Sequence, residues 1–180
     1  KLELNKETAR GTGRDVWVEV FDIPLLYTPY ISFPIDDRRQ SGVLAPTFGS
    51  SDTTGIDLAI PYYWNIAENY DATITPRIMS DRGLMLGGEF RYLSNHSEGQ
   101  IAAEILSDTV TDDLRGQFSF QNKSTISPRL SSDIDLNYIS DDEYFEDFGN
   151  TLISSSNRYL RSQASLNYRA NNWNYDSVDD

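Results

Sequence analysis

The side chains best suited to chemistry in this sequence are one histidine and one acidic run. His96 is the only histidine, so neither a histidine-based catalytic triad nor a multi-histidine zinc site can be assembled. Cysteine is absent, which removes thiolate ligands and disulfides. The run 141–147, Asp-Asp-Glu-Tyr-Phe-Glu-Asp, lacks the glycine and the ligand spacing of a calcium loop. We therefore interpret it as a solvated acidic loop rather than as a metal site.

The charge balance narrows the class of protein further. A formal net charge of −13 leaves too few clustered lysines and arginines to neutralise phosphates, so we predict no nucleic-acid partner. No carboxylate pair, nucleophile–base pair or cofactor loop stands out from the background. We predict that the chain is not an enzyme and that it carries no cofactor and no metal.

The elements that hold these residues are predicted to be strands. From about residue 54 onward, apolar residues recur at every second position, which is the period of a strand with one face in an apolar medium. No stretch approaches the roughly 20 apolar residues of a membrane helix, and none has a convincing helical period. The pattern predicts an all-β, antiparallel fold. The clearest segments are 70–78, 84–92, 100–105, 114–121, 133–138 and 160–170.

The composition of the two strand faces favours a barrel wall over a soluble sandwich. The apolar face is rich in Gly, Ala and Tyr rather than in large aliphatic residues, and the other face carries successive charges such as Glu89 and Arg91. The connections at 94–99 and 122–127 are short, whereas 140–158 is one long loop. In an outer-membrane barrel, short turns face the periplasm and long loops face outward, so we expect 140–158 at the cell surface.

The first forty residues have a different pattern. Residues 16–21 resemble a short apolar strand, and 23–34 has a proline at every fifth position. Each proline removes a backbone donor, so 23–34 is predicted to be an edge strand or an extended linker, not a central strand. We place one domain at 1–35 and another at 43–180, with a hinge at 36–42.

Several stretches, in order and with similar spacing, resemble the LptD family, which is also called the organic solvent tolerance protein family. Together they extend over most of the chain, which makes chance similarity a poor explanation. The stretches are IPLLYTPY (23–30), PIDDRRQSG (34–42), PYYWNIA (61–67), DATITP (71–76), RG (82–83), EFRYL (89–93) and YFEDF (144–148).

The resemblance implies both a role and a location. Residues 1–35 would be the last strands of a periplasmic β-jellyroll that receives lipopolysaccharide. Residues 43–180 would be the first eight or so strands of an antiparallel transmembrane β-barrel, which delivers the lipid into the outer leaflet of the Gram-negative outer membrane. The implied partners are lipopolysaccharide, the plug lipoprotein LptE, the periplasmic bridge protein LptA and the barrel-assembly machinery during folding.

Two prolines are candidates for a lateral gate in this barrel. Pro46 interrupts the run 43–48 and Pro61 interrupts 56–62, so the ladder loses a hydrogen bond at each site. Unpaired backbone groups are costly in hydrocarbon, so a weakened strand pair is an unusual choice for a membrane wall. If the first strand parts from the last, as the resemblance implies, the weak ladder lowers the barrier to opening. Alternatively, both prolines mark strand ends or a bulge.

Two further sets of residues are candidate lipid contacts. Arg38 and Arg39 in the hinge either contact the anionic phosphates of a passing lipid or form a solvated linker pair. Four apolar residues near the N-terminus either face acyl chains inside the jellyroll groove or pack in an ordinary core. These four are Val16, Val18, Val20 and Phe21.

Two other classes of function remain open from the residues alone. One is an outer-membrane diffusion channel of the porin type, and the other is a soluble all-β binding domain. A porin would not need the proline-rich segment 23–34 to lead directly into the first barrel strand. A soluble domain would not depend on detergent.

Overall fold

The structure is a computed structural model that describes residues 2–5, 7, 9–20, 23–35, 39–149 and 162–170. Across these residues the fold is all-β, with thirteen strands and one five-residue helix. Every strand pairing is antiparallel. The predicted all-β, antiparallel class is therefore confirmed. Within the described ranges, no helix is long and apolar enough to cross a membrane.

A small sheet contains the first three strands, β1 (Leu2–Asn5), β2 (Arg10–Val20) and β3 (Ile23–Pro34), in the order β1-β2-β3. The proline-rich strand β3 therefore lies at the edge of this sheet, as its prolines predict. Its register with β2 shifts between Val18 and Glu19, close to the pairing of Glu19 with Pro24. Within the described ranges β3 has ladder partners on one side only, so a missing proline donor that points to the other side costs little.

A large sheet contains the other strands, which follow one another through hairpins. Its order is β13-β12-β11-β10-β9-β8-β6-β5, and β7 lies between β8 and β4. The strands are β4 (Gly42–Val43), β5 (Thr47–Ser51), β6 (Gly55–Ala59), β7 (Tyr62–Ala67), β8 (Tyr70–Met79), β9 (Gly83–Leu93), β10 (Ser97–Asp108), β11 (Asp113–Ser127), β12 (Leu130–Ile139) and β13 (Gln163–Tyr168).

Four of these segments are the halves of two interrupted strands. β6 and β7 both pair with β8, one after the other along its length. β4 and β5 are the two halves of the first strand, and β6 and β7 are the two halves of the second. β4 pairs with β7, and β5 pairs with β6. The large sheet thus has eight strands in the described residues, of which the first two are broken in the middle.

The two faces of the large sheet differ as the alternation predicts. The outer face, which we define by Leu86, Phe118 and Leu166, is exposed: Leu86 is 49% and Leu166 is 67% accessible. The inner face, defined by Arg77, Arg115 and Gln117, is mainly polar, and these three side chains are buried, although arginines seldom are. Most large apolar side chains of these strands therefore face outward, and Met79, Met85 and Leu106 are buried on the inner face.

A short helix covers one end of the inner face. Tyr144 and Phe148 of α1 (Tyr144–Phe148) are fully buried in a cluster with Met79, Met85 and Leu106. The interpretation of 141–147 as a solvated acidic loop is therefore only partly right: Asp142, Glu143 and Glu146 are exposed, whereas Tyr144 is buried and Asp141 and Asp147 are half-buried. The remaining loop residues, 150–158, lie outside the described part of the chain. Among the described residues, no group of acidic or histidine side chains is arranged to hold a metal ion.

Candidate functional site

The candidate site is the level at which the first two strands of the large sheet are interrupted. Leu44 donates a backbone hydrogen bond to the Pro61 carbonyl, with an N–O distance of 2.8 Å, but Pro61 has no N–H with which to return one. Ile60 donates to the Pro76 carbonyl of β8 at 3.0 Å, and Pro76 likewise cannot return a bond. At residues 60–61 the second strand therefore has one backbone hydrogen bond to the first strand and one to β8. A hydrogen-bonded residue pair in a regular antiparallel ladder has two.

The two predicted gate prolines occupy different kinds of interruption. Across the break the second strand keeps its register on β8, because Ala59 lies opposite Arg77 and Tyr62 lies opposite Ile74. The first strand instead gains one residue, because Val43 pairs with Tyr62 whereas Thr47 pairs with Ala59. Pro46 therefore lies in a bulge, and Pro61 lies in a strand that is interrupted without a shift. This local geometry agrees with the bulge alternative and equally with a weak seam.

An ion pair on the inner face lies beside this level. The Arg77 Nε is 2.9 Å and 3.1 Å from the two carboxylate oxygens of Asp57, and its NH2 nitrogen is 2.5 Å from Oδ2. The side chains of Arg77 and Asp57 are only 11% and 18% exposed. This bidentate pair connects β6 to β8 directly through side chains.

A second polar group, the hinge cluster, lies where the large sheet begins. It consists of Arg39, Tyr63, Asp71 and Arg91. The Arg39 NH2 nitrogen is 2.7 Å and the Arg91 Nε is 2.8 Å from the Asp71 carboxylate, while the Tyr63 hydroxyl donates to the same carboxylate at 3.1 Å. Arg39 is thus anchored to the inner face, although its side chain remains 47% exposed. Arg38, its predicted companion, lies outside the described residues.

A third group, the loop cluster, holds α1 against the sheet. Arg115 donates to Asp141 at 2.6 Å, to Asp147 at 2.6 Å and to Asp108 at 3.0 Å, and its guanidinium lies 5.0 Å from the centre of the Phe148 ring. Three carboxylates thus converge on one arginine that is itself 4% exposed. These contacts explain why the acidic run folds onto the sheet instead of remaining in water.

Arg82 extends the loop cluster to the first hairpin. Its NH1 nitrogen donates to Asp108 at 2.9 Å, and its NH2 nitrogen lies 2.9 Å from Asp147. Its Nε donates to the carbonyl of Thr53, in the turn between β5 and β6, at 2.9 Å. One side chain therefore joins the turn of the interrupted strand pair to the helix α1.

Two groups of the folded loop have displaced pKa values with clear causes. The Arg115 guanidinium beside Asp141 holds the pKa of that carboxyl below its usual value. Burial, helped by the negative charge of Glu104, raises the pKa of Tyr144 above its usual value. The Tyr144 hydroxyl therefore stays protonated and donates to Glu104 at 2.9 Å.

The predicted acyl-chain residues are only partly described. Val16 is half-buried in β2, the side chains of Val18 and Val20 are not described, and Phe21 lies outside the described residues. A cleft of about 350 Å³ opens between the small sheet and the start of the large one. Its lining combines one guanidinium with apolar and hydroxyl side chains. The lining residues are Arg10, Thr28, Tyr30, Ile31, Ser32, Gly42, Val43 and Tyr62.

Sequence reasoning missed three features of this site, of which one had a clear signal. Pro76 lies inside the alternating segment 70–78, where a proline contradicts a central strand, and that conflict marks the weak level. Asp57 and Arg77 are charged residues of the inner-face parity, but nothing in the sequence shows that they meet. The cleft at Arg10 had no sequence signal.

Comparison with known proteins agrees along most of the chain. The family model described as LptD protein matches residues 13–177. The LPS-assembly protein LptD of Nitrosococcus oceani is 45% identical over 97% of this chain, and the match spans 24% of that relative. The protein of the same name from Acinetobacter baumannii is 48% identical over 94% of the chain and 21% of the relative. The chain therefore spans about a quarter, or less, of the length of these relatives.

Proposed function

This chain belongs to the LptD protein family, and from that premise we propose that it forms part of a machine that transports lipopolysaccharide into the Gram-negative outer membrane. The large sheet is the first part of a transmembrane β-barrel. The small sheet is the end of a periplasmic jellyroll that passes lipid towards the barrel, and residues 36–42 are the hinge between them.

The exposed outer face supports the membrane assignment. Large apolar side chains follow one another on it along successive strands, among them Ile74, Leu86, Ile105, Phe118 and Leu136, and all five are exposed. A contiguous apolar surface of this kind is unusual on a soluble monomer. In a bilayer the same surface faces acyl chains, while the charged inner face lines a water-filled lumen.

The observation that supports the lateral gate is the pair of one-sided hydrogen bonds at the level of the sheet that contains Pro61 and Pro76, which we call the proline level. A membrane wall cannot replace lost backbone bonds with water, so a strand held by single bonds at Leu44–Pro61 and Ile60–Pro76 is the weakest place in the described sheet. With Pro46 in a bulge and Pro61 unable to donate, the second strand holds the first strand loosely at this level, so the first strand can bend away from its other neighbour. Lipid leaves the barrel sideways when the first strand separates from the strand that closes the barrel.

The route to the gate passes the junction of the two sheets. The cleft beside Val43 and Tyr62 combines apolar walls with Arg10, which suits a molecule that carries both acyl chains and phosphate. Val16, Val18, Val20 and Phe21 contribute to the acyl-chain groove before it. Arg38 and Arg39 contact lipid phosphate as the lipid crosses the hinge.

The partners follow from the same proposal. Lipopolysaccharide arrives from the periplasmic bridge protein LptA, the plug lipoprotein LptE occupies the barrel, and the barrel-assembly machinery inserts the folded wall. The small sheet then faces the periplasm, and the loop that contains α1 faces the cell surface.

The proposal is tested by restoring the missing donors in the full-length protein. Pro46→Ala combined with Pro61→Ala should slow the appearance of new lipopolysaccharide at the cell surface, because residue 61 can then donate to the Leu44 carbonyl and the second strand holds the first more firmly in place. Pulse-labelled lipid at the surface is the measurement, and the heat-modifiable mobility of the folded barrel is the control for folding. Unchanged delivery by a folded double variant would contradict the gate.

A further inference from the structure

The Asp57–Arg77 ion pair has no role in the function proposed so far. Arg77 follows Pro76 directly in β8, and Asp57 lies in β6, four residues before Pro61. Both side chains point to the inner face and are largely withdrawn from water. Two donor nitrogens of one guanidinium grip both oxygens of one carboxylate, which is the stiffest form of such a pair.

The backbone beside this pair has fewer bonds than the regular hairpins of the sheet. β6 shares three register pairs with β8, and its next residue, Ile60, is bonded to Pro76 in one direction only. The strands β10 and β11, by contrast, share twelve consecutive pairs without a shift. The side-chain bridge therefore lies beside an interruption of the backbone ladder between β6 and β8.

Pro76 extends that weakness beyond the first two strands. Because Ile60 lies opposite Pro76 in the continuous register, Pro61 and Pro76 remove one donor on each flank of the same strand. The interrupted level thus crosses from the first strand through the second to β8. At this level a side-chain contact between β6 and β8 can compensate for the missing backbone donor.

We propose that the Asp57–Arg77 pair is that contact: a side-chain staple that holds β6 against β8 at the proline level and limits opening to the first strand. Asp57 and Arg77 are then positioning residues for the lateral passage of lipid, and Pro76 makes the staple necessary. This inference rests on the lateral gate proposed above, because it states which strand stays fixed when the gate opens.

The competing explanation is an ordinary ion pair that lines a polar lumen. The two explanations differ in whether the ion pair compensates for the backbone donor that Pro76 lacks. A staple compensates for the missing proline donor, so a restored donor should make it dispensable. An ion pair that only lines the lumen has no such connection, so the effect of removing it should be the same whether residue 76 is proline or alanine.

The test is hydrogen exchange of the amides at 56–60 in the full-length protein in detergent. Asp57→Asn should accelerate exchange there about tenfold, because bonds to charged groups hold the two strands locally. Pro76→Ala added to Asp57→Asn should return exchange towards the wild-type rate, because residue 76 can then donate to the Ile60 carbonyl. Asp135→Asn is the matched control: Asp135 accepts a bond from Asn137 of its own strand, where the ladder is intact.

Two further variants keep the test informative if Asp57→Asn folds poorly. Arg77→Lys retains the charge but not the bidentate grip, and it should accelerate exchange by a smaller factor. The exchanged pair, Asp57→Arg with Arg77→Asp, should restore slow exchange. Wild-type exchange in Arg77→Lys, or acceleration that Pro76→Ala does not reduce, would overturn the staple.

The same variants separate failure of the staple from failure of the gate. Entry of a large hydrophilic antibiotic reports whether the wall leaks, and surface lipopolysaccharide reports delivery. Faster exchange with leakage and altered delivery supports the staple acting on a gate. Faster exchange with normal delivery and an intact permeability barrier would leave the pair as a structural contact and overturn its positioning role. If Pro46→Ala with Pro61→Ala also leaves delivery unchanged, the gate itself is wrong.

Discussion

At the scale of single residues, prolines remove backbone hydrogen-bond donors from the sheet, and arginines gather carboxylates around one buried charge. Pro61 and Pro76 each remove one backbone donor from the same short stretch of sheet, which weakens it without changing its register. Arg115 does the opposite, because it concentrates three carboxylates and an aromatic ring on one buried guanidinium. The first kind of residue lowers the number of backbone bonds in the sheet, and the second holds the folded loop in place.

The loss of Arg115 should therefore be costly. Arg115→Gln leaves Asp141 without a cation and Asp108 and Asp147 with Arg82 alone, and we expect a loss of about 3 kcal/mol in the free energy of unfolding. Equilibrium urea unfolding of the full-length protein in detergent measures it. Arg129→Gln, at an exposed position, is the control and should change stability by less than about 0.5 kcal/mol. Equal stability of the two variants would show that the loop cluster contributes little.

At the scale of elements, the large sheet combines regular hairpins with two exceptional parts. β9 to β12 form long, closely registered hairpins, whereas the first two strands are interrupted at the proline level. The helix α1 is too short to be stable alone, so its position depends on Tyr144, Phe148 and the arginines beneath it. Its attachment is therefore electrostatic as well as apolar.

The attachment of α1 should weaken in acid. The pKa of Asp141 is lowered from 3.8 in the folded chain, so its contribution is complete above that value and is lost as the pH falls through the folded pKa. Protease cleavage within 141–149 of the full-length protein should accelerate below about pH 4. Asp141→Asn should cleave faster already at neutral pH and depend less on pH. An acid-insensitive wild-type loop would contradict this assignment.

At the scale of the whole molecule, the main feature is the contrast between the two faces of the large sheet. The inner face has buried ion pairs and a folded loop, while the outer face leaves Leu86, Phe118 and Leu166 accessible. A soluble protein would bury these side chains against a second layer. The described part of the sheet has none on that face, which suits contact with lipid.

A charge on the outer face distinguishes a membrane wall from a soluble sheet. Leu86→Arg should cost about 2–4 kcal/mol if this position lies near the middle of the bilayer, and the amount of folded full-length protein in the outer membrane should fall. The matched control is Gln121→Arg on the inner face, where an arginine meets water or other polar groups. Equal levels of folded protein for both variants would favour a soluble domain.

Strand identity was predictable because parity is a local property. Two-residue alternation places each side chain on one of two faces, so segments such as 70–78 and 114–121 could be assigned from the sequence. The edge position of β3 followed from its prolines, and the family resemblance followed from ordered motifs. The fate of 141–149 was not predictable, because a run of acids is indistinguishable from a solvated loop until its cations are located.

Local pattern thus decided the strands, their faces and the class of fold, since each depends on residues close together in the chain. Tertiary structure alone decided which distant residues meet. Asp57 and Arg77 are twenty residues apart, and Arg115 and Asp147 are thirty-two apart, and only the register of the sheet and the return of the loop bring them into contact. Tertiary structure likewise decided that Pro61 and Pro76 interrupt the sheet at the same level, because they become neighbours only when β6, β7 and β8 align.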